Sequence, residues 1–536
     1  MYIDFSQTNE FEFEADICVI GAGAAGFSCA VTLLSSGLKV LVLEGGLKKV
    51  HPKAAEIHQG EVVNHPHIGI HEARERVVGG TTTKWGGQAF PFLKEDFEER
   101  TYMNMSGWPI SFEDIEPYYN KAEAILGTDN LVPFQYRPWK DTSIDEPQFT
   151  PSTIDLFVTK WCKVPNFALQ HGYKIEQSEN VILLRNANVV ELLPNEDLDA
   201  VKALKIRSLD GREGMVNAKY VIAAGGAMET VRLFLASKKF GKAGLGNSGG
   251  LVGRYFQDHC AAIVGQIYPA SRKRFHSLFD PFYKNGFKYF PRIKLDPSFA
   301  NKSSILHASA QVVFSEKENG VLDQAKMLIG SLRKKELPSV NIIKALFKPS
   351  EFFSIAKAAW RWKVDNRGSS SDSGPIWLEI HSEQEPVYES SVQLGQTVDA
   401  LGLPRIRLDW KISDLTVTTI KTMAALVREE FKRTGVGEVV LEPWVTGETE
   451  KSLRWITDTF HQAGGLKMAG SEQDGVVDSS CKVFGIQNLY VASSAVFPTS
   501  SFSNPTMTTI ALSIRICESV KERIKHIIEN QIPVNG

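Results

Sequence analysis

None of the six cysteines, Cys18, Cys29, Cys162, Cys260, Cys481 and Cys517, forms a CxxC pair. That argues against a zinc ribbon, a redox dithiol or a disulfide scaffold and leaves buried free thiols as the expectation. Charge of one sign is missing as well: 60 Lys and Arg stand against 62 Asp and Glu, a formal net charge of -2. The Lys/Arg surplus of a nucleic-acid binder is absent, so nucleic acid is not an expected partner. No stretch approaches the roughly 18 to 20 uninterrupted apolar residues of a membrane-spanning helix. Met1 to Asp16 is acidic and mixed, without the basic start and apolar run of a secretory signal, so a cytoplasmic location is expected. No internal repeat is found. What remains is ordinary globular composition, 43% hydrophobic and 23% charged, spread over 536 residues. At about 150 residues per domain this gives three to four domain equivalents, which two large domains satisfy.

The N-terminal part reads as a nucleotide cradle. Ala15 to Ile20 has the continuous apolar character of a buried parallel strand, followed by Gly21-Ala22-Gly23-Ala24-Ala25-Gly26 and a helix through Ser36 that Gly37 can stop. A second strand, Lys39 to Leu43, ends at Glu44. Strand, glycine turn, helix, strand and acid come in the order of a dinucleotide fingerprint. Gly21 permits the tight turn, Gly23 lets backbone approach a pyrophosphate, Gly26 lets helix and strand pack closely, and Glu44 would accept ribose hydroxyl hydrogen bonds. Chance packing produces a lone GxGxxG, so the strand context and the acid 18 positions on (44 - 26) carry the assignment. The motif alone does not choose between NAD and FAD.

Further along, Asn180 to Leu193 and Val201 to Leu209 read as strands, with Asp210-Gly211 as a hairpin turn before Met215 to Ala224 and Gly225-Gly226. Such a meander crossing back to the nucleotide sheet suits an FAD-binding protein better than a one-domain NAD fold. Gly244 to His259 is expected to return across the same layer. From about Ala262 to Glu450 the pattern turns to aromatic strands, a helical region and alternating strands such as Ile376 to His381 and Ser391 to Leu394, the mark of a separate substrate layer. Residues 341–364 mix Phe347, Phe352, Phe353, Trp360 and Trp362 with Lys344, Lys348, Lys357, Arg361 and Lys363. Core packing is the favoured reading there over membrane or partner docking, because Pro349 interrupts the pattern. Arg367 to Gly374 reads as a short loop near a site entrance.

The C-terminal segment is the most informative. His461-Gln462-Ala463-Gly464-Gly465 is followed by a strand near Leu489 to Ala492, then by Pro498, Asn504 and Pro505. Asn504 is a good N-cap and Pro505 a good first helical residue, so a helix over Thr506 to Val520 is expected. Its positive end would stabilise the negative charge of a reduced flavin.

Taken together, the sequence resembles the glucose-methanol-choline (GMC) oxidoreductases over nearly its whole length. The resemblance runs through the N-terminal glycine motif, Val78-Gly79-Gly80-Thr81-Thr82-Thr83, Gly225-Gly226-Ala227-Met228-Glu229-Thr230, Gly253-Arg254 with Asp258-His259, and the C-terminal segment. Trp85-Gly86-Gly87, Gly107-Trp108-Pro109-Ile110, Pro117-Tyr118-Tyr119, Glu383-Gln384-Glu385-Pro386 and Asp409-Trp410 make it closest to the branch with bacterial sugar dehydrogenases and pyranose oxidase-like enzymes. The resemblance implies an α/β fold, with a Rossmann-like FAD-binding domain and β-meander under a substrate domain of antiparallel sheet covered by helices. The FAD-binding domain is assigned to 1–100, 180–261 and 455–536, and the substrate domain with connecting segments to 101–179 and 262–454.

By the same resemblance FAD would be held by Gly21, Gly23, Ala24, Ala25, Gly26, Glu44 and Gly45, by Gly79, Gly80, Thr81, Thr82, Lys84, Trp85, Gly86 and Gly87, by Val189, Ala224, Gly225 and Glu229, and by Ser493, Ser494, Asn504, Pro505 and Thr506. Members with covalent flavin carry a histidine where this sequence has Lys84, so non-covalent FAD is expected. Many relatives have Asp at Ser493, and the cysteine-rich insertion of some sugar dehydrogenases is missing. The catalytic pair would be His461 and Asn504, with Gln88, His381, Glu383 and Gln384 also facing the substrate. A neutral imidazole can take the hydroxyl proton of an alcohol, and a carboxamide can hold the same oxygen while hydride leaves for flavin N5. The structural alternatives are a satisfied interior histidine and a plain helix cap.

The expected substrate is an alcohol, with a secondary hydroxyl of a sugar, glycoside or polyol preferred. The alternatives are a non-sugar alcohol or hydroxynitrile lyase-like chemistry on structural FAD. The electron acceptor, oxygen or another, and the oligomeric state stay open. His65, His67 and His71, with His51 and His58 nearby, contain a metal-type His-x-His, but no cysteine or spaced carboxylate is seen to complete a set, and no metal is expected. His259 after Asp258 reads as a brace for the fold.

Overall fold

The computed structural model describes all residues except 104, 106, 143, 316–359, 362, 372–373, 449–452 and 532–536. Most of the aromatic, basic segment 341–364, the end of the Arg367 to Gly374 loop and the Glu450 boundary therefore lie outside the described residues.

One eight-stranded sheet forms the nucleotide layer. Its order is Tyr2–Asp4, Val181–Arg185, Val40–Glu44, Glu12–Ile20, Glu213–Ala223, Val201–Arg207 and Asn188–Pro194, with Leu489–Val491 pairing the far end of Glu213–Ala223. The central strands run parallel, and every residue of Val40–Glu44 is buried, the signature of a strand covered on both faces. Helix Ala24–Leu33 covers this sheet, ending ahead of Gly37 because Leu34 and Ser36 close tight turns onto Val31 and Leu33. The meander is present: Asn188–Pro194, Val201–Arg207 and Glu213–Ala223 run antiparallel, joined at the second turn by Gly211 with φ +92°.

The single strand expected over Asn180 to Leu193 is in fact two. Asn186 at φ +56° breaks it, its N–H bonded to Gly46 O and its Oδ1 accepting from Leu209 N. Asparagine tolerates this left-handed corner. The first half thereby stays in the parallel layer and the second turns into the meander.

A nine-stranded antiparallel sheet forms the second layer: Gly437–Leu441, Cys260–Pro269, Ile376–Ser382, Ala308–Phe314, Phe287–Leu295, Ile154–Trp161 and Gln88–Ala89, with Phe282–Lys284 and Thr457–Asp458 attached. Ile376–Ser382 alternates buried and half-buried residues, so one face meets helix Asp414–Arg433 and the other looks toward the nucleotide layer. Among the described residues, no helix is long and apolar enough to cross a membrane.

Several elements lie elsewhere than the sequence suggested. Ser391–Val398 and Pro404–Trp410 form a third sheet with Glu61–Asn64 and pack on helix Ala227–Ala236 instead of joining the substrate layer. Gln88–Ala89, within 1–100, pairs with Ile154–Trp161 in the antiparallel sheet. Helices Glu116–Leu126 and Phe167–Glu176, within 101–179, pack on Pro505–Gln531 and Ala24–Leu33 in the nucleotide layer. Each departure puts an apolar face against the nearest uncovered one, which sequence order does not reveal.

Candidate active site

The glycine turn is tight enough to exclude side chains from its two ends. Gly21 has φ +100°, and a Cβ there would lie 2.7 Å from Ala224 O; a Cβ on Gly26 would lie 1.8 Å from Gly21 O. At Gly23 a Cβ would meet nothing within 4 Å, since that position opens on the cavity. The second glycine loop locks onto the first: Gly79 N–H donates to Ala22 O at 2.9 Å, and Gly80 at φ +54° brings its backbone beside Gly23. Glu44 closes the turn with Oε2 accepting from Ala22 N at 2.9 Å and Oε1 from Gly46 N at 2.7 Å.

These segments line one cavity of about 680 Å³. It runs past the strand ends at Gly21–Ala25, Glu44–Gly45, Ala187–Val189, Ala223–Gly226 and Ala492–Ser494, across Gly80–Thr82 and Lys84–Gln88, to His461 and the helix start at Asn504, Pro505 and Thr506. Of the residues expected at the cofactor, only Gly26 and Gly79 do not line it; Gly26 packs on the backbone of Gly21, and Gly79 faces the side chains of Thr83, Ala168 and Asn166. Open backbone at Gly23, a helix N-terminus and a buried acid at the next strand fit a dinucleotide of the FAD type.

Other expected contacts have protein partners. Lys84 pairs with Glu75, and Ser493 Oγ accepts from Ala495 N at 3.1 Å. Glu229 is the hub of an ion cluster, touching Arg74 at 3.1 Å, Arg76 at 2.7 Å and Arg232 at 3.4 Å. Burial pushes its carboxyl up, but Arg76 and Arg232 outweigh that and hold it far below the usual range.

His461 stands half-buried in the wall of this cavity. Phe460 takes φ +64°, a conformation costly for a bulky residue, and turns the chain so that His461 N–H donates to Asp258 Oδ1 at 2.9 Å. Its Nε2 lies 3.1 Å from Asn504 Nδ2. Its Nδ1 lies 3.1 Å from His259 Nδ1 and 2.8 Å from Thr459 Oγ1.

The proton positions follow from one fixed acceptor. Ser500 O can only accept, so His259 Nε2, at 3.1 Å, carries a hydrogen. Burial lowers the His259 pKa, leaving the ring neutral, so its Nδ1 is a lone pair and His461 Nδ1 supplies the hydrogen between the rings. His461 Nε2 is then the bare nitrogen, facing Asn504 and the cavity. Burial first, then His259, His381 and Arg292, push the His461 imidazole well below its ordinary range, which keeps it neutral at pH 7.

The antiparallel sheet also contributes to the wall. Gln88, Trp161 and His381 line the cavity. Glu383 and Gln384 do not, which corrects their expected placing. Glu383 is fully buried in a bidentate pair with Arg100 at 2.6 and 2.7 Å, and Gln384 bonds Asp258 N at 2.9 Å and Trp410 Nε1 at 2.8 Å. Both lie beyond the strand end, where the chain has turned under the site.

The histidine cluster also differs from expectation. His67 is buried with Nε2 3.2 Å from Asp258 and Nδ1 3.8 Å from Asp458, so two carboxylates do complete a His/Asp group, brought from far along the chain. Each carboxylate is already engaged: Asp458 accepts from Ile68 N and Gly69 N, and Asp258 from Thr459 N and His461 N. The group ties the loop before His461 to the 67–69 turn. His65 and His71 stand apart, and the six cysteines are buried and unpaired.

His259, expected as a brace for the fold, holds the ring of His461 directly, and Asp258 holds its backbone. Their adjacency to Gly253-Arg254 was the available signal. Arg76, Asn188, Trp161 and Thr459 gave none, because nothing local marks a side chain whose partner lies far along the chain.

Comparison with known proteins agrees with this layout. Residues 16–57 match a family model described as FAD binding domain, and residues 386–513 one described as GMC oxidoreductase. The chain is 22% identical to a 2-methyl-1,2-propanediol dehydrogenase of Mycolicibacterium austroafricanum, covering 97% of each chain. It is also 22% identical to a fructose dehydrogenase large subunit of Gluconobacter japonicus, covering 95% of this chain and 98% of that one. Among solved structures, a formate oxidase variant of Aspergillus oryzae RIB40 superposes with a TM-score of 0.57 at 14% identity, over 97% of this chain and 100% of the other.

Proposed function

We propose that this chain, which belongs to the glucose-methanol-choline oxidoreductases and works through FAD, oxidises a secondary hydroxyl of a sugar, glycoside or polyol with His461 as the base. The observation that carries the reading is the 3.1 Å contact between the unprotonated His461 Nε2 and the Asn504 amide, in the wall of the dinucleotide cavity. Bound FAD supplies the acceptor for the hydride, and its two electrons, that leave the carbinol carbon. His461 Nε2 takes the hydroxyl proton, which completes the conversion of CH–OH to C=O. Asn504 Nδ2 donates to the same oxygen and fixes the carbon's position. His259 and Asp258 act behind His461, one holding its tautomer and the other its backbone. FAD is held non-covalently on this reading, because Lys84 is paired with Glu75 at the position where covalent relatives carry histidine.

The sugar or polyol preference is supported by a cavity wall of Gln88, Trp161 and His381, an aromatic face with polar neighbours, and by the names of the two full-length relatives. The test is an anaerobic titration of the yellow protein with sugars, glycosides and simple alcohols, followed by air. Bleaching by members of the panel is expected. A flavin that stays oxidised with all of them, while a hydroxynitrile is cleaved, would overturn the oxidation.

A further inference from the structure

His381 stands on the strand Ile376–Ser382, where the half-buried residues Trp377, Glu379 and His381 share one side, and of these His381 lines the cavity. Gln311 lies directly across from Glu379 on the neighbouring strand, and its amide donates to Glu379 Oε2. His381 Nε2 lies 3.1 Å from the same oxygen. Burial would raise the Glu379 pKa, but the bonds from His381 and Gln311, with the charge of buried Arg292, bring it down to about 2, so the group is an ionised acceptor. An acceptor on both oxygens obliges His381 Nε2 to carry the hydrogen. Burial, then Arg292, lowers the His381 pKa, so the ring is neutral and its Nδ1 is a lone pair. The hydrogen bond that the ring makes to protein among the described residues is through Nε2, and the ring lines the same cavity as His461 and Asn504.

We propose that His381 Nδ1 is a second substrate acceptor, receiving the hydroxyl on the carbon next to the one oxidised, so that the site selects vicinal diols and polyols over isolated alcohols. This rests on the assignment of His461 and Asn504 to the first hydroxyl. Substrate entering the cavity displaces water from this fixed lone pair, and a substrate with only one hydroxyl leaves it unmet. A vicinal diol satisfies both groups. Glu379 and Gln311 do not touch substrate; they position the ring.

The test compares cyclohexanol with cis- and trans-cyclohexane-1,2-diol on the FAD-loaded protein. Stopped-flow flavin reduction without oxygen gives a dissociation constant and a limiting rate for each, and calorimetry gives binding independently of turnover. At least one diol should bind about tenfold or more tightly than cyclohexanol, the range of a substrate hydrogen bond left unmade. His381→Leu, which removes the acceptor, and Glu379→Gln, whose amide can donate to Nε2 and move the hydrogen to Nδ1, should both bring that ratio toward one. Equal binding of diols and cyclohexanol to the wild type, or a preference that survives His381→Leu, overturns the proposal while leaving alcohol oxidation standing. Absence of flavin reduction with calorimetric diol preference intact would instead overturn the oxidation and keep the subsite.

Discussion

At the scale of single residues, the site depends on which nitrogen is bare. His461→Ala removes that nitrogen without touching the glycine turn, so the variant should keep its FAD and lose on the order of two to four decades in the rate of flavin reduction. Single-turnover reduction at near wild-type rate would take His461 out of the chemistry. Asn504→Ala should lose less, because it removes a hydrogen bond and leaves the base. The pH dependence has a definite sign. Because the His461 pKa is lowered, its neutral form persists on the acid side and is lost only as pH falls through that lowered value. The acid limb of the reduction rate should therefore lie well below pH 6.5. A limb at or above the free imidazole value of about 6.5 would show that the ring is charged in the resting site.

At the scale of elements, the glycines divide by what their Cβ would meet. Gly26→Ala puts a methyl 1.8 Å from a backbone oxygen, where neither strand nor helix can yield. Overpacking of this kind costs about 1 to 3 kcal/mol or more, so the protein should melt lower and purify with little flavin. Gly23→Ala meets nothing within 4 Å, so its methyl competes with FAD alone. Its flavin-to-protein absorbance ratio should drop while the melting temperature of the FAD-free protein holds. Loss of stability in both, or in neither, would contradict the division. The strand–turn–helix–strand unit and the Pro505 helix start were legible because their signals are local: apolar runs, glycine at a left-handed corner, a cap followed by proline. The helix runs to Gln531, beyond the expected Val520, because no stop signal follows until Pro533.

At the scale of the whole molecule, the buried neutral histidines set an acid limit on stability. Burial is the leading cause that lowers the pKa of His58, to about 3, and those of His171, His259, His381 and His461. The unfolded chain takes up those protons near pH 6.5 and the folded one does not, so stability is fully present above about 6.5 and falls below it. The melting temperature should drop between pH 7 and pH 5; a flat profile would mean that these rings protonate within the fold. The sequence by itself determined the nucleotide cradle and the presence of two layers, since each is written in residues close together or at fixed offsets from a helix or strand end, while the choice of His461 and Asn504 as candidates came from the family resemblance. Only the tertiary structure decided that Glu383 and Gln384 turn away from the cavity, that Asp258 and Asp458 reach His67, that Glu61–Asn64 joins a strand from the other end of the chain, and which nitrogen of each ring is bare. Those outcomes depend on partners hundreds of residues apart, and a hydrogen bond is fixed by the acceptor it meets in space.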